Sequence, residues 1–319
     1  MAERIVVLDA GTFGPYRLRR PAFPHDWRQY ERSGPEQVRR RLGAATIAIT
    51  NKVAIGQPEL EAAPELKLIA IAATGYDAVD VAAARARGVA VMNVRGYAAT
   101  TVPEHAFALM LSLRRRLTEY RRALADGAWQ AAGQFTLFVD PVYDLAGSTL
   151  AIVGAGVTGR RVAAIGRTFG MQVAFLDSHV GDLPDYATAL PLPELLAAAD
   201  VLTLHCPLTD ATRNIVDAAA IERMRPTALL INTARGGLVD EPALATAIRD
   251  GTIGGAGMDV LSEEPPAEDN PLYRLREHPR LLLTPHSAWG SRDAVTTLAE
   301  RLLTQIEAFV AGDDVRLLT

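Results

Sequence analysis

Cysteine is nearly absent from this sequence, because Cys206 is the single one among 319 residues. One cysteine cannot close a disulfide within the chain, and no group of cysteines and histidines has the spacing of a zinc site. The sequence therefore predicts an intracellular, cytoplasmic protein that holds no metal ion.

An excess of basic residues is also missing. The 33 lysine and arginine residues are outnumbered by 37 acidic residues, so that the net charge is -4. A chain with this balance has no charge with which to neutralise a nucleic-acid backbone or an anionic membrane surface. We expect neither nucleic acid nor a membrane as a partner.

Long apolar runs are missing as well. The first run, from Ile5 to Leu8, is closed by Asp9 and is too short for the core of a signal peptide. Nowhere do about 18 uninterrupted apolar residues follow one another, which argues against a transmembrane helix. With 49% apolar residues the chain is nevertheless too apolar to be disordered, and its length predicts two domains.

Short apolar segments alternate along the chain with stretches of helical periodicity. This alternation is typical of strand-helix-strand units on a parallel sheet, so we predict an α/β protein with two doubly wound parallel sheets. The predicted strands cover 5–8, 46–50, 68–72 and 90–93 in a first unit, and 150–153, 173–176, 201–205, 228–232, 255–260 and 281–284 in a second.

Three helices have readable boundaries. Thr101-Val-Pro-Glu104 matches the capping-box pattern and predicts a long helix, whose apolar body suggests burial between the two domains or at a subunit interface. Asp240 and Gly251 are suited to begin and end a second helix. A final helix over about 291–311 is expected to pack back on the first unit.

A glycine-rich segment over 154–159, which we call the glycine loop, follows the apolar strand 150–153. Gly154, Gly156 and Gly159 form a GxGxxG pattern that allows a tight turn, the approach of a pyrophosphate to the backbone, and close packing of helix on strand. Asp177 ends the next predicted strand, where a carboxylate can accept hydrogen bonds from an adenosine ribose. It would repel a 2'-phosphate, and the adjacent Ser178 and His179 supply no arginine, so NAD is favoured over NADP.

Three further strand ends carry groups suited to 2-keto acid chemistry. Arg235 can hold a carboxylate by two hydrogen bonds. His286 can protonate a carbonyl oxygen if a carboxylate holds its other ring nitrogen, and both Glu263 and Glu264 are candidates for that carboxylate. Taken singly, each of these residues could instead be a structural or solvated side chain, but their joint occurrence behind a nucleotide motif argues against chance.

At this point the chain resembles the D-isomer-specific 2-hydroxyacid dehydrogenase family over essentially its whole length. The matching segments are Ala73-Thr-Gly75-Tyr-Asp-Ala-Val-Asp80, the glycine loop, Leu204-His-Cys-Pro-Leu208, Asn232-Thr-Ala-Arg-Gly-Gly237, Asp259 with Glu264-Pro265, and Thr284-Pro-His286. The resemblance implies a Rossmann-type NAD domain over 99–286 and a flavodoxin-like substrate domain over 1–98 plus 287–319, with a cleft between them. It also implies a homodimer built through the NAD domain.

The resemblance assigns roles to individual residues. Arg235 binds and polarises the substrate, Glu264 supports the histidine, and His286 donates the proton. Backbone NH groups of Thr74 and Gly75 hold the substrate carboxylate, and Lys52 is either a substrate ligand or a solvated loop lysine. The implied cofactor-binding residues are Thr101, Gly154, Gly156, Val157, Thr158, Gly159, Asp177, Cys206, Pro207, Thr212, Thr233, Ala234, Arg235, Asp259 and His286.

Within the family, Thr50-Asn-Lys52-Val and Asn93-Val-Arg-Gly-Tyr97 look most like glycerate dehydrogenases, also called hydroxypyruvate reductases. This implies reduction of hydroxypyruvate and glyoxylate with NADH, and oxidation of D-glycerate in reverse. The alternatives are the same chemistry on another small 2-keto acid, or an NAD-sensing protein of the corepressor type. The stretch 11–35, rich in proline and arginine, departs from the family's pattern. Only eight residues follow the last predicted helix, which disfavours the sensor.

Overall fold

The computed structural model describes residues 2–178 and 181–319. The chain divides into an N-terminal unit, Met1–Ala98 with Gly290–Thr319, and a central unit, Ala99–Trp289. The strands in chain order are β1 Glu3–Val7, β2 His25–Gln29, β3 Ile47–Thr50, β4 Leu68–Ile71, β5 Ala90–Asn93, β6 Thr149–Val153, β7 Gln172–Leu176, β8 Ala187–Leu190, β9 Val201–Leu204, β10 Leu229–Asn232, β11 Gly255–Met258 and β12 Leu281–Leu283.

The helices in chain order are α1 Pro35–Leu42, α2 Gln57–Glu61, α3 Val81–Ala86, α4 Thr101–Arg114, α5 Leu117–Ala125, α6 Ala128–Ala132, α7 Val157–Thr168, α8 Leu192–Ala198, α9 Ala218–Arg223, α10 Glu241–Asp250 and α11 Arg292–Ala311. Among the described residues, no helix combines the length and the apolarity that crossing a bilayer requires.

The N-terminal unit is built on five parallel strands in the order β2-β1-β3-β4-β5. This is the flavodoxin-like order, as the sequence predicted. Alternate residues of the strands pack to opposite faces of the sheet, and Val6 and Ile69 belong to the core on one face. Leu302 of α11 is also buried in this unit. Helix α11 contacts β4 directly, which confirms that the last helix returns to the first unit.

The central unit is built on seven parallel strands in the order β12-β11-β10-β9-β6-β7-β8. Counted from β6, this is the dinucleotide-binding order with one added strand, and the order reverses between β6 and β9. One face buries residues such as Val153 and Leu204, and the other buries Ile152 and Ile231 beneath α4 and α7. The two-face burial explains why these strands are continuous apolar runs in the sequence.

Two strands were missed by the sequence prediction, which expected four and six. β2 and β8 are the outer strands on one side of their sheets, and both are partly exposed. An edge strand with a solvated face has no apolar run, so it lacks the pattern by which buried strands are recognised. β2 lies within the 11–35 stretch, where Trp27 pairs in register with Ile5 of β1.

The long helix predicted to begin at Thr101 is confirmed as α4, but the predicted capping box is wrong. Helix α4 begins with Thr101 as its first residue and Thr100 as its cap, and no side chain caps it. The hydroxyl of Thr101 instead donates to the carbonyl oxygen of Ala288 at 3.1 Å. The apolar body of α4 is accounted for within its own unit, because Phe107, Leu109 and Met110 pack against the central sheet.

The other two helix predictions are confirmed. The side chain of Asp240 accepts a hydrogen bond from the backbone of Ala243, and Gly251 ends α10 in a left-handed conformation with φ of 71°. Helix α11 begins after Ser291, whose hydroxyl accepts from the backbone of Ala294 at 3.2 Å. In each helix a short polar side chain therefore satisfies one of the first backbone NH groups.

Candidate active site

Five neighbouring strands of the central sheet end in one row. Their last residues are paired in register, Val153 with Leu204, Leu204 with Asn232, Asn232 with Met258, and Met258 with Leu283. Because all these strands are parallel, the loops that leave them meet at one edge, which we call the carboxyl edge. The glycine loop, Arg235, Glu264 and His286 all lie in loops that follow these five strands.

The glycine loop has the geometry that its sequence predicted. Gly154 has φ of +108°, and a β carbon there would lie 2.6 Å from the His205 backbone. A β carbon on Gly159 would lie 1.9 Å from the carbonyl oxygen of Gly154, so helix α7 can pack on β6 only if this residue is glycine. These two glycines are required by the fold itself.

Gly156 differs from its two neighbours in the motif. It caps α7 without a side-chain hydrogen bond, and no described atom lies within 4 Å of the position that its β carbon would take. The protein therefore leaves open space above the first turn of a twelve-residue helix, whose NH groups favour an anion. The adjacent Val157 side chain is 68% exposed. This open cradle fits the pyrophosphate of a dinucleotide.

Asp177 directly follows β7, and its backbone NH donates to the carbonyl oxygen of Leu190 at 2.9 Å. The residue is exposed. Its carboxylate is thus carried on a fixed backbone at the second strand of the nucleotide fold, as a ribose ligand requires. His179, which entered the prediction of NAD specificity, lies outside the described residues.

Glu264 and His286 form a direct polar contact between two of these loops. Nδ1 of His286 lies 2.6 Å from Oε2 of Glu264, while Oε1 of Glu264 accepts from the backbone NH of Leu261 at 3.0 Å. Residue pattern alone left Glu263 and Glu264 as alternatives, the family resemblance implied Glu264, and the contact involves Glu264. With its Nδ1 engaged by a carboxylate, the ring can direct Nε2 and a proton toward a substrate.

The backbone of His286 is left-handed, with φ of 51°. Such a conformation costs a residue with a β carbon about 1 kcal/mol or more and tends to occur at functional sites. It is held by two hydrogen bonds from the His286 NH, to the carbonyl oxygens of Asp259 and Thr284 at 2.8 and 2.9 Å. The loop thus holds the ring in a position that the free chain would avoid.

Asp259 is a buried anchor for this histidine loop. Its carboxylate is 1% exposed and accepts from the Thr284 hydroxyl at 2.5 Å and from the backbone NH groups of Ser287 and Ala288, each at 2.9 Å. His105 of α4 contacts the same Thr284 hydroxyl at 2.9 Å. The family resemblance implied that Asp259 binds the cofactor, but it did not reveal this anchoring, because the partners come from segments far apart in the chain.

Arg235 lies in a loop that is organised by Asn232. The Asn232 amide donates to the carbonyl oxygen of Arg235 at 2.8 Å and accepts from the NH of Ala234 at 3.0 Å. The Arg235 guanidinium donates to the Ala234 carbonyl oxygen at 2.7 Å. The hydroxyl of Thr233 is buried without a hydrogen-bond partner among the described residues, and a bound ligand is the natural partner for such a group.

The two glycines after Arg235 allow close packing between loops. A β carbon on Gly236 would lie 1.9 Å from the Leu261 backbone. A β carbon on Gly237 would lie 2.9 Å from the Leu208 side chain. Gly236 therefore brings the Arg235 loop against the loop that carries Glu264, and Gly237 brings it against the loop after β9.

The loop after β9 carries the remaining predicted cofactor residues. Cys206 is partly buried, and burial raises the pKa of its thiol, which opposes a nucleophilic role. The Thr212 hydroxyl donates to the Pro207 carbonyl oxygen at 2.7 Å and closes the loop on itself. Two further predicted cofactor residues lie outside this loop. Thr158 is in the glycine loop and Ala234 precedes Arg235, and both are partly exposed.

The predicted substrate residues of the N-terminal unit lie after β3 and β4. Lys52 is exposed, and its backbone NH donates to the buried carboxylate of Asp9 at 2.7 Å. The Thr74 hydroxyl donates to the Val94 carbonyl oxygen at 2.9 Å. The backbone NH groups of Thr74 and Gly75 make no hydrogen bond to any residue that the structure describes, which leaves both donors available to a ligand. Within residues 2–178 and 181–319, no group of histidine, cysteine and acidic side chains is arranged to hold a metal ion.

Comparison with known proteins gives a family match. Residues 107–288 match the family model for the D-isomer specific 2-hydroxyacid dehydrogenase, NAD binding domain. The chain is 45% identical over 313 residues to a glycerate dehydrogenase of Methylorubrum extorquens, a match that covers 98% of each chain. It is 38% identical over 258 residues to a glyoxylate reductase of Korarchaeum cryptofilum, covering 79% of this chain and 76% of the relative.

Among solved structures, a D-lactate dehydrogenase from Aquifex aeolicus complexed with NAD and lactic acid is similar in fold. The TM-score is 0.84 with 26% sequence identity, and the match covers 98% of this chain and 96% of the other. The similarity thus extends over both units and includes a protein with NAD bound.

Proposed function

The chain belongs to the D-isomer-specific 2-hydroxyacid dehydrogenase family and is an NAD(H)-binding oxidoreductase, and we propose that it reduces hydroxypyruvate and glyoxylate. In the reverse direction it oxidises D-glycerate. The observation that carries this proposal is the contact between Glu264 and His286, on a loop that Asp259 anchors at the same sheet edge as the glycine loop.

Each residue of this edge has a task in the reaction. Arg235 binds the substrate carboxylate through its guanidinium fork and polarises the carbonyl group. His286 delivers a proton from Nε2 to the carbonyl oxygen, while Glu264 holds Nδ1 and compensates the charge of the protonated ring. The nicotinamide supplies the hydride when it is bound. In the oxidation of D-glycerate, His286 takes the proton back.

The cofactor is held by the central unit in this proposal. The first turn of α7 binds the pyrophosphate, Asp177 binds the ribose, and the Thr233 hydroxyl gains the partner that it lacks in the protein. The remaining ligands are Thr101, Val157, Thr158, Cys206, Pro207, Thr212, Ala234 and Asp259. NADH is preferred over NADPH because the Asp177 carboxylate repels a 2'-phosphate.

The substrate preference rests on the relatives. A glycerate dehydrogenase acts on a three-carbon hydroxy acid whose oxidation at carbon 2 yields hydroxypyruvate, and the second relative is named for glyoxylate. We assign Lys52 and the backbone NH groups of Thr74 and Gly75 to substrate binding, so that the N-terminal unit is the substrate domain. The NH groups have the free donor capacity that a carboxylate needs.

A homodimer in the cytoplasm completes the proposal. Leu117, Trp129, Phe135 and Phe138 of the central unit are exposed apolar side chains, and Phe135 is 91% exposed. Exposed apolar groups of this number mark a surface that associates with another protein. Sedimentation at several protein concentrations tests for the dimer, and a monomer throughout would contradict it.

Substrate-dependent loss of NADH absorbance tests the proposed function. Purified protein is assayed with hydroxypyruvate, glyoxylate, pyruvate and a bulkier 2-keto acid, each with NADH and with NADPH. The proposal expects the highest kcat/KM for hydroxypyruvate with NADH. A higher value for pyruvate or the bulky acid would assign another 2-keto acid, and binding of NADH without turnover of any acid would favour the sensor.

Replacement of Asp177 by alanine tests the cofactor preference. The variant should bind NADH more weakly and lose most of its discrimination against NADPH, because the repulsive carboxylate is gone. Asp185→Ala, which removes an exposed carboxylate from the loop before β8, is the matched control. Unchanged discrimination in Asp177→Ala would place the specificity elsewhere.

A further inference from the structure

The central unit contains a cavity at the amino edge of its sheet, where strands begin. Its volume is about 170 Å³, and it lies beside Thr227 before β10, Gly254 before β11 and Arg280 before β12. Arg114 at the end of α4 and Tyr143 complete its wall. Because parallel strands begin at the edge opposite to the carboxyl edge, this cavity is separate from the proposed active site.

Arg114 is a buried cation that forms no ion pair with the residues that the structure describes. The residue is 5% exposed, and its Nε has no hydrogen-bond partner among the described residues. No carboxylate of the part of the chain that the structure describes lies within ion-pair distance of its guanidinium. Its guanidinium carbon lies 5.4 Å from the Tyr143 ring centre, which stabilises a cation only weakly.

The environment of Arg114 opposes the charge. Burial lowers the pKa of its guanidinium, and the more distant carboxylate of Asp200 only partly offsets this. Asp200 is already engaged by Arg225 at 2.8 Å. An arginine keeps its proton at neutral pH even so, which means that the protein holds an uncompensated charge here.

Two other arginines line the same cavity. Arg116 is paired with Asp140 at 2.8 Å and with Glu119 at 3.2 Å. Arg280 has no ion pair with any described carboxylate, and its guanidinium lies near Gly251 at the carboxyl end of α10. The helix dipole explains a cation at that position, but it does not explain the buried Arg114.

The charges that line the cavity favour an anion. Of the three lining arginines only Arg116 is paired with described carboxylates, whereas Arg114 and Arg280 form no ion pair with them. A buried charge without a partner is costly, and the planar fork of a guanidinium matches phosphate oxygens. We propose that Arg114 and Arg280 form a binding site for a small phosphate-bearing dianion at the amino edge of the central sheet.

Thermal unfolding in the presence of inorganic phosphate tests this site. The full-length protein is saturated with NADH, so that the glycine loop is blocked, and phosphate is compared with sodium chloride at equal ionic strength. A ligand that binds only the folded protein raises Tm, and we expect about 2 to 4 °C at saturation. Arg114→Met and Arg280→Gln should abolish the phosphate-dependent rise.

Arg115→Met is the matched control, since Arg115 is a partly exposed neighbour that pairs with Asp144. It should keep the full phosphate-dependent rise. Without phosphate, Arg114→Met should unfold at the same or a higher temperature than the parent, because an apolar side chain is cheaper to bury than an unpaired ion.

Three outcomes would overturn the proposal. Phosphate could fail to raise Tm beyond the chloride control, or the rise could persist in both Arg114→Met and Arg280→Gln. A rise that disappears when NADH is present would belong to the glycine loop. None of these outcomes depends on which 2-keto acid the enzyme reduces.

Discussion

Oε2 of Glu264 lies 2.6 Å from Nδ1 of His286, and the two residues are carried by loops that leave adjacent strands of the central sheet. The same carboxylate accepts a hydrogen bond from the Leu261 backbone through its other oxygen, which fixes its orientation. The histidine ring is therefore held by the Glu264 carboxylate, and its backbone is held by the loop that Asp259 anchors.

Replacing His286 by alanine should reduce kcat by about 100- to 10,000-fold, because the general acid is lost while the scaffold remains. The variant should unfold near the parent temperature and bind NADH with similar affinity. Steady-state kinetics and NADH fluorescence titration measure these two properties. His25→Ala, in edge strand β2, serves as the control, and near-normal turnover of His286→Ala would exclude the assigned role.

Glu264 and Glu263 provide a matched pair. Glu264→Gln should lower kcat by about 10- to 100-fold, since the amide keeps a hydrogen-bonding group beside the ring but supplies no charge to the protonated imidazole. Glu263→Gln should leave kcat within about twofold. Equal losses of kcat in the two variants, measured with the same substrate, would mean that kcat depends on the total negative charge of the loop and not on the contact between Glu264 and His286.

Arg235→Lys should not preserve activity, although the charge is retained. A lysine ammonium cannot form the two parallel hydrogen bonds that a guanidinium makes to a carboxylate, so kcat/KM should fall by about 10- to 100-fold. Arg249→Lys on the exposed side of α10 is the control. Retained kcat/KM in Arg235→Lys would show that another cation holds the substrate.

Two glycines of one motif should respond differently to the same substitution. Gly156→Ala places a β carbon in open space, so Tm should stay within a few degrees while the dissociation constant for NADH rises by at least about tenfold. Gly159→Ala forces a clash with the Gly154 carbonyl and should unfold the central unit. Normal NADH affinity in Gly156→Ala would mean that the pyrophosphate binds elsewhere.

His205 should make the free energy of unfolding depend on pH in the acid range. Burial lowers its pKa from 6.5 to about 4, so between these values the unfolded chain binds a proton that the folded chain does not. The free energy of unfolding should fall as the pH drops from about 6.5 to about 4. The shift in pKa corresponds to a loss of at most about 3 kcal/mol in the free energy of unfolding. The actual loss should be smaller, because His205 is partly exposed and solvent screens its charge.

Urea unfolding at several pH values measures this effect. His205→Gln, which can still bond to the Thr203 hydroxyl, should show a shallower decline over the same range. An identical pH profile in the parent and the variant would assign the acid sensitivity to other groups.

The buried strands and the glycine loop were predictable because local pattern and tertiary burial agree there. Continuous apolar runs, such as those of β9 and β10, indicate strands that are covered on both faces. β2 and β8 were missed because they are edge strands without a fully buried residue, and so they carry no apolar run. The cap of α4 was misplaced because the Thr101 hydroxyl has a better partner, Ala288, from the far end of the unit.

The sequence by itself determined ten of the twelve described strands, the type of chemistry and the residues at the strand ends, because each depends on short-range pattern. Only the tertiary structure decided that Asp259 anchors the histidine loop and that Gly236 packs against the Leu261 backbone, whereas the contact between Glu264 and His286 agrees with what the family resemblance implied. These choices depend on distances between segments far apart in the chain, which sequence spacing does not encode. The uncompensated Arg114 is of the same kind, because the absence of a counterion is a property of the folded neighbourhood.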